Sequence, residues 1–387
     1  MSNVLSTEEI KRYQRQMLLG KVGIEGQLRL KQSRVLCIGA GGLGSPVLLY
    51  LAAAGIGTLG IVDMDEVDIT NLQRQILFTE SDVGVRKTTA AKNRLTQLNK
   101  NIDIIIYDEP FNELNAGNIV PGFDLIIDAT DNFSAKYLIN DSCVKYGKPY
   151  IYGSILGFEG RVSVLSAKHG PCYRCVYPEP PKGYIPNCAE FGIIGALPGI
   201  MGCIQAMEAI KWILGEWSAK RADELGQSSF QPLLGRLWIL DVLTMQTLHY
   251  QIKKNPECPV CSKNLKDIKI EDKPMHCASK STSAVPTVTL EESKIHINDE
   301  NTLFLDVREI SEWNAGFIDN AQHYPLSALL SGEGINVLDP QKKYIVYCQH
   351  GKRSQIATAY LMELGFSNVV TLEKGFSTWD GEINFPE

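Results

Sequence analysis

The chain has 387 residues, 44% apolar and 21% charged, with a formal net charge of −6. At roughly 100–200 residues per domain this makes about two or three domains. The apolar share excludes a disordered or collagen-like chain, and the acidic balance excludes a basic field for nucleic acid or an anionic membrane. Val285 to Glu387 holds 7 Lys+Arg against 15 Asp+Glu, a balance of −8 that leaves +2 for the rest. Such unevenness suggests two modules with different surfaces.

Met1 to Glu9 lacks the basic and apolar blocks of a signal peptide. The most apolar stretch, Ile193 to Leu214, is interrupted by Gly195, Pro198, Gly199, Gly202, Gln205, Glu208 and Lys211. It reads as a buried amphipathic helix, not a membrane span. A cytoplasmic protein is expected, and its ten cysteines then read as metal ligands or reactive thiols, not disulfides.

Val35 to Ile38 is a short apolar run entering Gly39-Ala40-Gly41-Gly42-Leu43-Gly44. Ser45-Pro46 opens a helical stretch to about Ala54, with Ser as the expected N-cap and Pro at the first helical position. Thr58 to Asp63 is a second strand, which completes a βαβ unit. Lys87 to Asn99 reads as helix, Asp103 to Tyr107 as strand, and Asp124 to Asp128 as a fully apolar buried strand. The alternation predicts a Rossmann-like, mostly parallel sheet with helices on both faces. Residues 1–262 form this first domain. Residues 263–284 are poor in large apolar side chains and read as a linker. Residues 285–387 form a small α/β domain, with strands at Leu303–Leu305, Tyr344–Tyr347 and Val369–Leu372 and a helix from Ser354 to Leu364.

The spacing of Gly39, Gly41, Gly42 and Gly44 after a strand and before a helix suits a phosphate cradle. Asp63, 19 residues past Gly44, is placed for ribose hydroxyls. The loop alone fits NAD in a dehydrogenase equally well. The neighbouring Thr70-Asn71-Leu72-Gln73-Arg74 and Lys87 offer more cationic charge than a dinucleotide needs, as a triphosphate would require. Asp131, in Asp128-Ala129-Thr130-Asp131-Asn132 at a strand end, is a candidate Mg²⁺ carboxylate. The plainer reading is that Asp131 and Asn132 cap the following helix.

Together with Tyr13-Gln14-Arg15-Gln16, these motifs resemble the MoeB/ThiF-type adenylating enzymes of the ubiquitin-activating superfamily, over residues 5 to 262. The resemblance implies that ATP adenylates the C-terminal glycine of a small ubiquitin-like sulfur carrier ending in Gly-Gly. It also implies that Gly41 approaches the nucleotide, Asp63 holds the ribose, and Asn71, Arg74 and Lys87 contact phosphates. Asp131 would position Mg²⁺, beside Asn132. Arg15 would reach a neighbouring subunit's site, so a homodimer is implied.

Cys172-x-x-Cys175 and Cys258-x-x-Cys261, with 82 residues between the pairs, make a closed four-thiolate set suited to structural Zn²⁺. A redox pair is the alternative. Cys188 follows the proline-rich stretch Pro178 to Pro186. The resemblance implies a thioester or disulfide link to the carrier there. Cys37, Cys143 and Cys203 lie in apolar patterns and are expected in the core, and Cys277 is expected to be free.

Cys348 heads Gln349-His350-Gly351-Lys352-Arg353-Ser354 between a strand and a helix. Backbone N–H groups wrapped round the sulfur, with Lys352 and Arg353, would favour a thiolate or persulfide anion. Residues 285 to 387 resemble a single-domain rhodanese through Asp306-Val307-Arg308-Glu309, Glu312-Trp313, the Cys348 loop and Gly375 to Trp379. Phe317 and Lys374 depart from that family, which often has His and Gly there. Only four residues separate Cys348 from Arg353, one short of a phosphatase loop. An adenylyltransferase and sulfurtransferase is therefore expected. Its sulfur donor would be a cysteine desulfurase or thiosulfate, and its product a thiocarboxylate for molybdopterin, thiamine or tRNA thiolation. The alternatives are an NAD-linked oxidoreductase with an accessory rhodanese and a non-catalytic carrier-binding regulator.

Overall fold

The computed structural model describes residues 4–180, 192–225, 230–271, 285–297, 299, 301–331 and 337–386. They fall into two compact units, one before residue 272 and one after residue 284. The first runs α1 (Thr7–Met17), α2 (Gly23–Gln32), β1 (Arg34–Ile38), α3 (Gly44–Ala54), β2 (Thr58–Val62), α4 (Lys87–Leu98), β3 (Asp103–Tyr107) and α5 (Glu113–Ile119). It continues with β4 (Leu125–Asp128), α6 (Phe133–Lys145), β5 (Tyr150–Leu156), β6 (Glu159–Leu165), α7 (Tyr173–Val176), α8 (Ala196–Leu225), β7 (Arg236–Asp241) and β8 (Gln246–Gln251).

The strands form one sheet in the order β3-β2-β1-β4-β5-β6-β7-β8. From β3 to β5 all pairings are parallel, and from β5 to β8 they are antiparallel. The parallel part is as the sequence predicts. The chain order reverses between β1 and β4, and open α/β sheets bind ligands beyond the strand ends at such a reversal. The glycine loop leaves β1 and Ala129–Asn132 leaves β4 at this point.

Alternation within strands sorts the core. Val35 and Cys37 enter one apolar cluster with α3 and α8, while Leu36 and Ile38 enter another with Phe123, Tyr137 and Ile139. Both faces are thus covered, which is why β1, β2 and β4 read as continuous apolar runs. The stretch around Ile193 to Leu214 is the helix α8, with Leu197, Met201, Ala206 and Ala209 in the core. Among the described residues no helix is long and apolar enough to cross a membrane.

Two local expectations change. Helix α3 starts at Gly44, one residue before Ser45, and no side chain caps it; the Ser45 hydroxyl is buried without a partner among the described residues. Leucine at the N-cap leaves the first-turn N–H groups uncapped by side chains. Residues 263–271, placed by composition in the linker, pack on the first unit. Ile268 is buried beside Cys172 and Cys258 and its carbonyl accepts from Lys145 Nζ at 2.8 Å. Residues 272–284, with Cys277, lie outside the described residues.

The second unit runs β9 (Thr287–Val288), α9 (Leu290–Lys294), β10 (Thr302–Asp306), α10 (Ile310–Asn314), β11 (Phe317–Ile318), β12 (Ala321–His323) and α11 (Leu326–Ser331). It ends with β13 (Lys343–Tyr347), α12 (Lys352–Glu363), β14 (Val369–Leu372) and β15 (Ile383–Asn384). Five strands form a parallel sheet in the order β12-β10-β13-β14-β9, and β11 pairs antiparallel with β15. Leu305, Tyr344 and Val346 face one core cluster; Phe304, Ile345 and Tyr347 face the other.

Phe123 fills the space over Gly60, with Arg34 stacked on its ring at 5.5 Å and Tyr107 edge-on at 6.5 Å. Phe123→Ala should destabilise the first unit by about 3–5 kcal/mol through the cavity it leaves, read as a lowered urea midpoint. An unchanged midpoint would contradict this packing.

Candidate functional site

The glycine loop is fixed by contacts that exclude side chains. Gly39 has φ +96°, and a Cβ there would lie 2.7 Å from Ala129 O. A Cβ at Gly44 would lie 2.1 Å from Gly39 O. Gly41 is open: among the described residues only Gln75 Nε2 comes near such an atom, at 3.8 Å, so a ligand can approach its backbone. Gly42 packs against Pro198 and the Arg74 stem.

Asp63 closes the base of the loop. Its carboxylate accepts from Ala40 N at 2.8 Å and Asp65 N at 2.9 Å. Burial raises its pKa, opposed by the nearby Lys87 charge and those two N–H donors. Lys87 is buried and pairs with Asp65 at 2.7 Å. Arg74 donates to Thr70 O at 3.0 Å, and the Thr70 amide and hydroxyl both donate to Asp68. Asn71 Oδ1 accepts from Asp68 N, which winds residues 68–74 into a compact turn. Leu72 is half-buried against the core and Gln73 is exposed beside Gly195.

After β4 the two acidic-motif readings separate. Asn132 caps α6, accepting from Ala135 N at 2.8 Å. Asp131 stands exposed with no polar partner among the described residues, so the cap leaves it free for a cation. The pattern alone did not reveal what holds this segment. Lys136 Nζ, buried, donates to Asp128 Oδ2 at 3.1 Å, Thr130 O at 2.9 Å and Gly153 O at 2.7 Å. Gln205 on α8 donates to Asp128 O at 2.8 Å. Arg15 lies exposed on α1, with no hydrogen bond or ion pair to the loop among the described residues.

The sulfur atoms of Cys172, Cys175, Cys258 and Cys261 all lie within 4.8 Å of one another. Cys172–Cys258 and Cys175–Cys261 are 3.5 Å apart and Cys172–Cys175 is 3.9 Å. Metal–sulfur bonds of ~2.3 Å at tetrahedral angles place sulfurs about 3.8 Å apart, so this donor set can hold a metal. From α7 the chain is fastened to α6: Arg174 makes a bidentate pair with Asp141 at 2.8 Å and donates to Pro178 O, while Tyr137 Oη donates to Glu179 O. Cys188 lies beyond, outside the described residues. Cys37 and Cys143 are fully buried, which pushes both thiols up; Cys203 is only half-buried.

In the second unit Cys348 follows β13 directly and is buried. Gly351, at φ +86°, is the N-cap of α12. The N–H groups of Gln349, His350, Gly351 and Lys352 make no hydrogen bond among the described residues and remain available to an anion. Gly375 braces the loop, since a Cβ there would lie 2.2 Å from Cys348 O, and Phe376 N and Ser377 N donate to Cys348 O and Gln349 O. One expectation is corrected. Arg353 does not stand as an uncommitted charge for the sulfur, because Glu312 takes both its Nη atoms at 2.7 Å. Arg308, also buried, pairs with Asp306 and lies 3.9 Å over the Phe376 ring. Phe317 stacks on Trp313 at 3.6 Å.

A phosphate-binding loop at a sheet reversal and a cysteine-headed anion loop define a nucleotide-using enzyme joined to a sulfurtransferase. Residues 13–260 match the ThiF family model and residues 289–382 the Rhodanese-like domain model. The chain belongs to the ThiF family, carries a rhodanese-like domain, and is an adenylyltransferase and sulfurtransferase. It is 39% identical to the probable adenylyltransferase/sulfurtransferase MoeZ of Mycobacterium tuberculosis, over 98% of this chain and 94% of that protein. It is 37% identical to the adenylyltransferase and sulfurtransferase MOCS3 of Aedes aegypti, over 99% and 89%. A sulfur carrier protein adenylyltransferase of Thermus thermophilus is 45% identical over 66% of this chain and 91% of its own. A crystal structure of Escherichia coli MccB with MccA-N7isoAsn shares the fold, with a TM-score of 0.56, 24% identity, and 67% and 76% of the two chains covered.

Two outcomes follow from the ion pairs. Lys136→Met leaves Asp128 buried and unpaired and should cost about 3–5 kcal/mol, measured by urea unfolding. Glu312 is pushed up by burial, but the Arg353 bonds and Glu309 N outweigh this and hold its pKa low. Its stabilisation is therefore complete above roughly pH 4.3 and is lost as pH falls through the depressed folded value. Glu312→Gln should flatten the acid limb of second-unit unfolding; a limb of unchanged slope would refute the assignment.

Proposed function

We propose that the protein activates a ubiquitin-like sulfur carrier ending in Gly-Gly and converts its C-terminus to a thiocarboxylate. The carrying observation is that one chain carries both the open Gly41 backbone and, directly after Cys348, N–H groups that make no hydrogen bond among the described residues. Gly39, Gly41, Gly42 and Gly44 cradle the ATP phosphates, Asp63 takes the ribose, and Thr70 to Arg74 with Lys87 neutralise phosphate charge. The exposed Asp131, with Asn132 beside it, holds Mg²⁺, which offsets charge on the phosphates. In a homodimer Arg15 serves the neighbouring subunit. The carrier carboxylate attacks the α-phosphorus, and pyrophosphate leaves with its electron pair.

A donor, either a cysteine desulfurase or thiosulfate, places sulfane sulfur on Cys348. The terminal sulfur attacks the acyl-adenylate, forming a C–S bond and releasing AMP. The Cys188 thiolate then attacks Cys348 Sγ, which releases the thiocarboxylate and leaves a Cys188–Cys348 disulfide. Two external thiols then reduce that disulfide: the first forms a mixed disulfide and frees one cysteine, and the second frees the other and leaves as the oxidised thiol pair. Fusion of the two activities raises the local concentration of persulfide. Cys172, Cys175, Cys258 and Cys261 hold a structural Zn²⁺, whose closed thiolate set leaves no position for chemistry. The setting is cytoplasmic, and the pathway served is molybdopterin, thiamine or tRNA thiolation.

Carrier-dependent ATP–pyrophosphate exchange and mass spectrometry of the carrier test this reading. Cys348→Ala should keep exchange and lose thiocarboxylate. Arg74→Ala should lower exchange about 10²- to 10³-fold. NAD turnover in place of exchange would establish the oxidoreductase alternative, and nucleotide binding without either would establish a regulator.

A further inference from the structure

Behind Cys348 lies a pair of hydroxyls outside the backbone cradle. Ser354 Oγ is 3.7 Å from Cys348 Sγ, and Thr371 Oγ1 on β14 is 2.6 Å from Ser354 Oγ. All three residues are buried. Each hydroxyl has one proton, so the bonds can be assigned. Thr371 Oγ1 is closer to Ser354 Oγ than to Val346 O, which is 3.4 Å away, and therefore donates to Ser354. Ser354 in turn donates to Gly351 O at 2.9 Å and accepts the Cys348 S–H.

Removing the sulfur's proton changes this balance. An anionic sulfur only accepts, so the Ser354 proton can swing from Gly351 O to Sγ. Gly351 O is not orphaned, because it also accepts from Gln355 N at 3.2 Å. Thr371 goes on donating to Ser354 Oγ, and a donated hydrogen bond strengthens the one passed on.

We propose that Ser354 is a further catalytic residue of the sulfur-transfer loop. Its hydroxyl reverses from acceptor to donor when Cys348 becomes anionic, and Thr371 is the positioning residue that supports it. The anion is the thiolate that takes sulfane sulfur from the donor in the function proposed above, on which the catalytic meaning of this inference rests. Other charged or titratable groups around the loop are His350 and Lys352 on it, Arg353 with Glu312, Asp306 with Arg308, and Lys374 beside Gly375. The variants below leave all of these in place.

The test uses the full chain, reduced, with iodoacetamide as probe and the Cys348 peptide quantified by mass spectrometry across pH. Ser354→Ala should move the midpoint of alkylation up by about one pH unit and slow it about tenfold at neutral pH. Thr371→Val should slow it about threefold, and Thr371→Ser should match the parent. The double variant should be no slower than Ser354→Ala, since Thr371 acts only through Ser354. A parent-like midpoint in folded Ser354→Ala, or additive effects in the double variant, would overturn the proposal. Should Ser354→Ala fail to fold, Thr371→Val against Thr371→Ser decides, and equal midpoints overturn it. Thiosulfate loading of the Cys348 peptide is weighed separately. Failure to gain sulfur would sink the transfer reading while leaving the alkylation result intact.

Discussion

Close approach of backbone to backbone at strand ends governs both halves of this protein. Gly44 leaves no room for a Cβ against Gly39 O, and Gly375 leaves none against Cys348 O. Each contact lets a chain turn sharply off a parallel strand and enter a helix. In the first unit the turn lies at the reversal between β1 and β4. In the second it follows a cysteine. Two different chemistries thus rest on one geometric device, a strand-to-helix corner where only hydrogen fits.

Ion pairs decide how stiff those corners are. Lys136 and Asp128 meet under the first site with Thr130 O and Gly153 O as further acceptors, so neither charge is left unsatisfied. Arg353 and Glu312 tie the second loop to α10. Buried pairs of this kind contribute less to net stability than their Coulomb energy suggests, and losing one partner is what costs. Their value here lies in fixing the exit direction of the chain.

Much of this was legible from the residues. The apolar run Val35 to Ile38 followed by spaced glycines could mean little else than a strand feeding a tight turn, and the two C-x-x-C pairs announced their own meeting. What escaped notice depends on long-range partners. Nothing local to Arg353 shows that Glu312 claims it, and the loop sequence alone assigns its charge to the sulfur. Nothing near Lys136 in sequence reveals Gly153 O. The polar run after Cys261 read as linker because a single buried Ile268 carries little compositional signal, although it covers the cysteine cluster. Ser45 suggested a cap by type, yet the helix begins one residue earlier, on the glycine that the loop requires.

The four-sulfur cluster joins parts of the chain that are far apart, since Cys172 and Cys258 are 86 positions apart. A cation gripped by all four sulfurs would act as a crosslink. In the chain-entropy model, closing a loop of that size removes about 4–5 kcal/mol of disorder from the unfolded ensemble. Ribosomal synthesis delivers Cys172 well before Cys258, so the knot could be tied only after β8 has emerged.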